Sequence, residues 1–159
     1  MKGNAKIISA LNRLLANELS AIDQYFIHAE LYLDMGLHKL HANSSHESAH
    51  EKLHATQLIK RILFLEGQPD LVTRDKLLVG STVEEMLQND LTVEYRVADL
   101  LRDTMALCES EKDFETRRML GVLLDDTEMD HAYFLERQLG LIKLLGVENY
   151  MQSQMGGQA

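Results

Sequence analysis

Two segments of the chain carry a glutamate and a histidine three residues apart: Glu51-Lys52-Leu53-His54 and Glu128-Met129-Asp130-His131. On an α-helix three residues rise about 4.5 Å and turn about 300°, so each pair shares a face and can grip one ion. Two more glutamates interrupt apolar stripes. Glu18 falls among Leu11, Leu14, Leu15, Ile22 and Tyr25, and Glu94 among Leu87, Leu91, Val97, Ala98 and Leu101. Glu51 and His54 share a stripe with Glu47, Leu58, Ile62 and Leu65, as Glu128 and His131 do with Leu120, Leu124 and Leu135. Glu18 and Glu51 are 33 residues apart, and Glu94 and Glu128 are 34 apart, as two helix pairs facing each other across a pseudo-two-fold would require.

An uncompensated buried carboxylate costs several kcal/mol, and four together repel one another. No Lys or Arg interrupts these stripes at neighbouring core positions. Two divalent cations would neutralise the four carboxylates Glu18, Glu51, Glu94 and Glu128. Mixed carboxylate and imidazole ligands suit iron or manganese, whereas an all-oxygen set would suit magnesium or calcium. A lone Glu-x-x-His is weak evidence, because the spacing arises by chance on exposed helices. Six such residues, all on core stripes and symmetric between halves, are a far more specific signal.

The elements that must hold these residues are helices. Apolar residues recur at three- and four-residue spacing over about 4–35, 39–66, 82–111 and 113–145, and 147–155 could form one short terminal helix. Thr82 is a possible N-cap, with Glu85 three residues on completing a capping box, and Asp113 could cap the fourth helix. The connection from Gly67 to Ser81 is too long for a tight helical hairpin. The expected fold is therefore all-α: a four-helix bundle with one long crossover between helices 2 and 3, and a short C-terminal fifth helix. One domain is expected over residues 1–159, with the bundle at about 4–145, the fifth helix at about 147–155 and a tail at 156–159. No strand alternation is sustained, and no low-complexity linker divides the chain.

Composition narrows the partners. The 159 residues carry a formal net charge of −9, which argues against general phosphate-backbone binding and attraction to anionic lipid. No apolar run reaches the roughly 18–20 residues that span a bilayer. The N-terminal segment meets polar and charged residues before a signal-peptide core could form, so a cytoplasmic location is expected. Cys108 is the single cysteine, which excludes thiolate zinc and iron sites and marks it as a buried small hydrophobe. The eight methionines read mainly as core filler, and His28, His38 and His41 as surface or interface histidines.

The whole chain to about Gln154 resembles a bacterioferritin, a member of the ferritin-like family. The resemblance is carried by the metal pattern and by Leu14-Leu15-Ala16-Asn17-Glu18-Leu19, Asp23-Gln24-Tyr25-Phe26, Ile62-Leu63-Phe64-Leu65-Glu66-Gly67, Val83-Glu84-Glu85-Met86-Leu87 and Glu148-Asn149-Tyr150-Met151-Gln152-Ser153-Gln154. It implies a hollow 24-subunit shell that oxidises Fe(II) with O2 or peroxide and stores the ferric product as a mineral. Glu18, Glu51, His54, Glu94, Glu128 and His131 match the six ligands of its di-iron ferroxidase centre. The resemblance makes Glu51 and Glu128 bridging ligands, and Glu18 and Glu94 terminal ones. Tyr25 matches a tyrosine that supplies an electron beside the site, although its place on an apolar stripe equally reads as core packing. His46 matches a ligand of an inner-surface iron site, whose second ligand, commonly an acid, is His50 here. Asn149 and Gln152 match positions near a four-fold pore.

One departure concerns haem. The family binds it between two subunits through a methionine directly after the helix-two glutamate, and that residue is Lys52 here. An ammonium has no lone pair to offer iron, so haem is not expected on this subunit. A homo-oligomer, or a mixed shell with a second, haem-binding chain, follows as the expected assembly. The small ferredoxin reductant that the family implies uses the haem, which weakens that route here. Two other readings stand beside storage: a rubrerythrin-type di-iron peroxidase or oxygenase, and a non-catalytic helical interaction protein. The absence of a Cys-x-x-Cys electron-transfer module and of an extra substrate domain counts against the oxygenase.

Overall fold

The computed structural model describes residues 1–156; the last three positions of the expected tail lie outside the described residues. Helix α1 spans Ala5–Asp34, α2 His38–Phe64 and α3 Val83–Ser110. The fourth rod is continuous but composite: α4 at Phe114–Asp125, a π-helical segment at Asp126–Ala132, then α5 at Tyr133–Leu145. A short α6, Val147–Gln154, is the terminal helix. The π segment has no counterpart in the sequence reading, which expects one α-helix there.

Local chemistry starts and stops the rods where expected. Asn4 caps α1 by accepting from the Lys6 N–H, and Asp113 caps α4 by accepting from the Thr116 N–H. Thr82 accepts from the Glu85 N–H, while Glu85 reaches back to the Ser81 N–H, one residue earlier than a standard capping box. Gly36, at φ 76°, closes α1, and the Leu37 N–H returns to the Tyr32 carbonyl in a Schellman turn. A three-residue link then sends α2 back along α1.

The α1–α2 pair packs on α3 and the composite rod, with two apolar clusters along the bundle axis. One gathers Ile7, Leu11, Leu14, Leu58, Leu101 and Leu120, and the other Tyr32, Leu40, Met86, Leu87, Leu135 and Tyr150. The charged groups of the central cluster lie between them. Among the described residues no helix is long and apolar enough to cross a membrane.

The crossover is strapped along a polar stripe of α1. Asn17 donates to Asp75, Ser20 Oγ accepts from the Asp75 N–H, Gln24 Oε1 from the Leu78 N–H, and His28 Nε2 from the Gly80 N–H. A backbone N–H can only donate, so His28 Nε2 accepts and its proton sits on Nδ1, 2.8 Å from Asp90 Oδ1 on α3. Gln24 Nε2 donates to the same oxygen at 2.8 Å. His28 is completely buried, which corrects the surface or interface reading; the crossover's backbone covers it. Asp90→Ala would leave two buried donors unpartnered and should lower stability by about 2–3 kcal/mol. Urea unfolding checks this, and a loss under about 0.5 kcal/mol would show that the network does not hold the crossover.

Candidate metal centre

Midway along the bundle, α1, α2 and α3 turn Glu18, Glu51 and Glu94 inward, each at most 2% exposed. Their apolar neighbours on the same faces force this, because those faces are the core. His54 follows Glu51 by less than one turn, with its Nδ1 2.9 Å from Glu51 Oε2 and 3.8 Å from Glu18 Oε2. From the fourth rod, His131 Nδ1 lies 2.8 Å from Glu51 Oε1 and 3.5 Å from Glu94 Oε2. Glu51 thus belongs to two triads, Glu18–Glu51–His54 and Glu51–Glu94–His131, each with ligand atoms mutually within 4.8 Å.

Glu128 is not in either triad. It is 40% exposed and paired with Arg102 of α3. The cause is the π segment. There the hydrogen bond runs from i to i+5, so the residue five before His131 comes over its face and the residue three before rotates away. That residue is Asp126, and its Oδ2 lies 3.3 Å from His54 Nε2. Thr127, also buried, spends its hydroxyl on the Leu123 carbonyl.

Two acids missed as site residues thus border the cluster. Glu47, one turn before Glu51, has Oε2 2.9 Å from His131 Nε2. Its place on the Glu51 stripe was the signal. Asp126 carried none, because α-helical spacing points it elsewhere. Within the cluster, Glu47 takes the place of Glu128 as the fourth buried carboxylate. His50 sits at the edge, its Nδ1 2.8 Å from His131 Nε2, and forms further triads with Glu47 and His131 and with His54 and Asp126. His46 is largely exposed and contacts Glu47 at 3.1 Å. Tyr25 is buried, and its hydroxyl donates to Glu94 Oε1 at 2.5 Å. Lys52 points to solvent from the outer side of α2.

The electrostatics describes a site short of positive charge. Burial, then the charge of Glu51, pushes the Glu18 carboxyl well above its usual range. The same two causes push Glu94 up to about 7. Burial also acts on Glu51, but hydrogen bonds to His131 and His54 hold it far below the carboxylate range. Burial opposes a charged His54, yet the carboxylates of Glu18 and Glu51 beside it raise it to about 11, and His131 is raised by the neighbouring Glu47, Glu51 and Glu94. Burial, then the charge of Glu94, raises the Tyr25 phenol.

No lysine or arginine is buried among the described residues. Both oxygens of Glu18 and Oε2 of Glu94 are buried without a hydrogen-bond partner. Unpartnered carboxylate oxygens facing imidazoles are a donor set that divalent iron fits.

Comparison with known proteins agrees with this geometry. The sequence profile of the ferritin-like domain matches residues 8–145. A bacterial ferritin of Synechocystis sp. is 53% identical over 155 residues, covering 98% of this chain and 99% of that protein. A bacterial ferritin of Pseudomonas aeruginosa is 50% identical over 98% of this chain and 100% of its own length. A bacterioferritin of Brucella melitensis is 39% identical over 96% and 94%. With a bundle, a central acid–histidine cluster and relatives of this closeness, the chain belongs to the ferritin-like family, among proteins named bacterial ferritins and bacterioferritins.

Proposed function

We propose that this chain stores iron by oxidising Fe(II) at the central cluster and depositing the ferric product inside an oligomeric shell of 24 subunits in the cytoplasm. The observation that carries the reading is Glu51, a buried carboxylate shared by two triads of ligand atoms. Two Fe(II) ions are the substrate. Glu18, Glu51 and His54 would hold one, and Glu51, Glu94 and His131 the other. Each ion gives up one electron, so O2 or peroxide is reduced in a two-electron step. Hard carboxylate oxygens favour the ferric product, and the imidazoles fix the geometry.

The remaining residues act around that step. The apolar clusters at both ends of the bundle keep bulk water from the carboxylates. Tyr25 keeps Glu94 oriented through its hydroxyl, and it is the nearest group able to supply a further electron. Glu47, His50 and Asp126 line the side of the cluster toward the π segment, where Asp126 and His50 are partly exposed. With His46 they offer iron a way between the centre and the surface. Glu128 remains a proposed ligand only if it leaves Arg102.

Native mass measurement with iron analysis tests the reading: a ferritin-sized shell that takes up Fe(II) and consumes O2 is expected. A small oligomer that turns over peroxide without retaining iron would favour the rubrerythrin-type alternative.

Lys52 does not fit a haem ligand, and its ammonium ends in solvent. The chain purified alone should show no haem Soret band, and Lys52→Met should introduce one. A bis-methionine haem spectrum from the unaltered chain would overturn this assignment and restore the haem-dependent ferredoxin route.

A further inference from the structure

The crossover enters α3 through a buried joint in which the metal cluster has no part. His28 of α1 is completely enclosed there, between Asp90 of α3 and the backbone of Gly80. Gly80 is itself buried, and a Cβ on it would sit 2.6 Å from the Met86 nitrogen. The backbone is thus wedged between the His28 ring and the first turn of α3. The Gly80 N–H reaches Nε2 at 3.1 Å, and Nδ1 lies 2.8 Å from Asp90 Oδ1.

The bond to Gly80 exists only while Nε2 keeps its lone pair. An imidazolium donates from both nitrogens, so a second proton sets two donors, Nε2–H and the Gly80 N–H, against each other. Asp90 favours that second proton, because an imidazolium against a buried carboxylate leaves no net charge. It is the only charged group within ion-pair distance of His28 among the described residues, so neither α2 nor the fourth rod supplies another. Burial pushes the Asp90 carboxyl up, but the donors His28 and Gln24 on Oδ1 favour its charged form, which leaves the imidazole the stronger base of the pair. On α1, the Tyr32 ring lies 6.4 Å from that of His28, and burial, then the charge of Asp90, pushes its phenol far up, so it stays neutral. Glu85, at the start of α3, is engaged by Ser81.

We propose that His28 is an acid-operated latch on the joint between the crossover and α3. With one proton it holds the Gly80 N–H, and the joint is shut. With two it keeps Asp90 and releases Gly80. The backbone around residues 79–81 then lifts until water reaches the new N–H, because a fully buried ring has no other acceptor. The remaining ties of the crossover contain no histidine: Asn12 holds Asp70, Asn17 and Arg13 hold Asp75, and Gln24 holds Leu78. Opening is therefore confined to the joint and leaves the rest of the crossover strapped to α1. Histidine side chains change charge between about pH 5 and 8, which sets the interval in which the latch works.

Hydrogen–deuterium exchange of the assembled full-length protein tests this, read residue by residue at pH 7.5 and pH 5 and corrected for the intrinsic exchange rate. At pH 5 the Gly80 amide should lose protection at least about tenfold, while the Asp75 amide, held by Ser20 Oγ, keeps its own. His28→Gln offers an amide oxygen to Gly80 and an amide N–H to Asp90 at every pH, so Gly80 should stay protected at both. Asp90→Asn removes the countercharge and should move the opening to lower pH. Circular dichroism verifies that the variants fold; should His28→Gln fail to, the unaltered chain and Asp90→Asn still decide. Equal protection of Gly80 at both pH values overturns the proposal. So does a pH-dependent loss that persists in His28→Gln, an Asp90→Asn profile like that of the unaltered chain, or an Asp75 amide that opens in step with Gly80.

Discussion

Glu51→Gln abolishes tight binding of both metal ions and lowers the rate of rapid Fe(II) oxidation more than about 100-fold, beyond the roughly 10–100-fold typical of losing a partner outside the ligand shell. Glu18 belongs to one triad and Glu94 to the other, so Glu18→Gln and Glu94→Gln should each remove one ion and spare its neighbour. Glu51 contributes an oxygen to both. The amide keeps the size of the side chain but loses the charge that opposes two dications, and offers one oxygen where two are used. Loss of fold does not explain such a result. Removing Glu51's charge relieves the repulsion that raises Glu18 and Glu94, and although it weakens one partner of His54 and of His131, Asp126 and Glu47 still contact them. Co(II) stoichiometry and stopped-flow Fe(II) oxidation on the same preparations check the pattern. A Glu51→Gln protein that still binds two ions, or that loses only one, would show that the shared carboxylate is not the centre of the site.

The residues that make this prediction possible were largely legible before any geometry. Glu18, Glu51, His54 and Glu94 sit on regular α-helices, where a residue's face follows from counting, and apolar neighbours three and four positions away mark that face as inward. Two helix starts were legible for a similar reason: Thr82 and Asp113 act through bonds only three residues long. Counting fails at the π segment. One extra residue in a single turn rotates Glu128 outward and brings Asp126 in, and no propensity in Asp126–Ala132 announces it. The crossover was illegible in a different way. Its course depends on Asn17, Ser20, Gln24 and His28, polar residues three or four apart on α1 that resemble a solvated face until a strand of backbone is found lying on them. His28 reads as a surface or interface residue for that reason, and nothing in the spacing marks Asp90, one turn from Glu94, as its buried partner.

Metal should reverse the direction in which pH changes stability. Without metal, the Glu94 carboxyl titrates near 7 in the folded chain, against about 4.5 when unfolded. The folded state therefore holds its proton more tightly, and stability is lost as pH rises from 4.5 through 7. Glu18 is shifted in the same direction. His54 is raised from 6.5 to about 11, so its contribution is complete below pH 6.5 and is lost as pH climbs toward 11. Glu51 has the opposite sign, but its contribution is already complete above its ordinary value near 4.5 and does not change across this window. Apoprotein prepared with a chelator should thus become steadily less stable from pH 5 to pH 9. Divalent metal binds the deprotonated carboxylates and neutral imidazoles, so its affinity rises over the same range and each binding event releases protons. At a hundredfold excess over the dissociation constant, one bound ion adds about 2.7 kcal/mol. For a chain of this length that raises Tm by about 5–10 °C per ion. Thermal melts at pH 5, 7 and 9, with Co(II) and with chelator, should therefore diverge as pH rises. Parallel curves would mean that the buried carboxylates and imidazoles are not the groups the metal deprotonates.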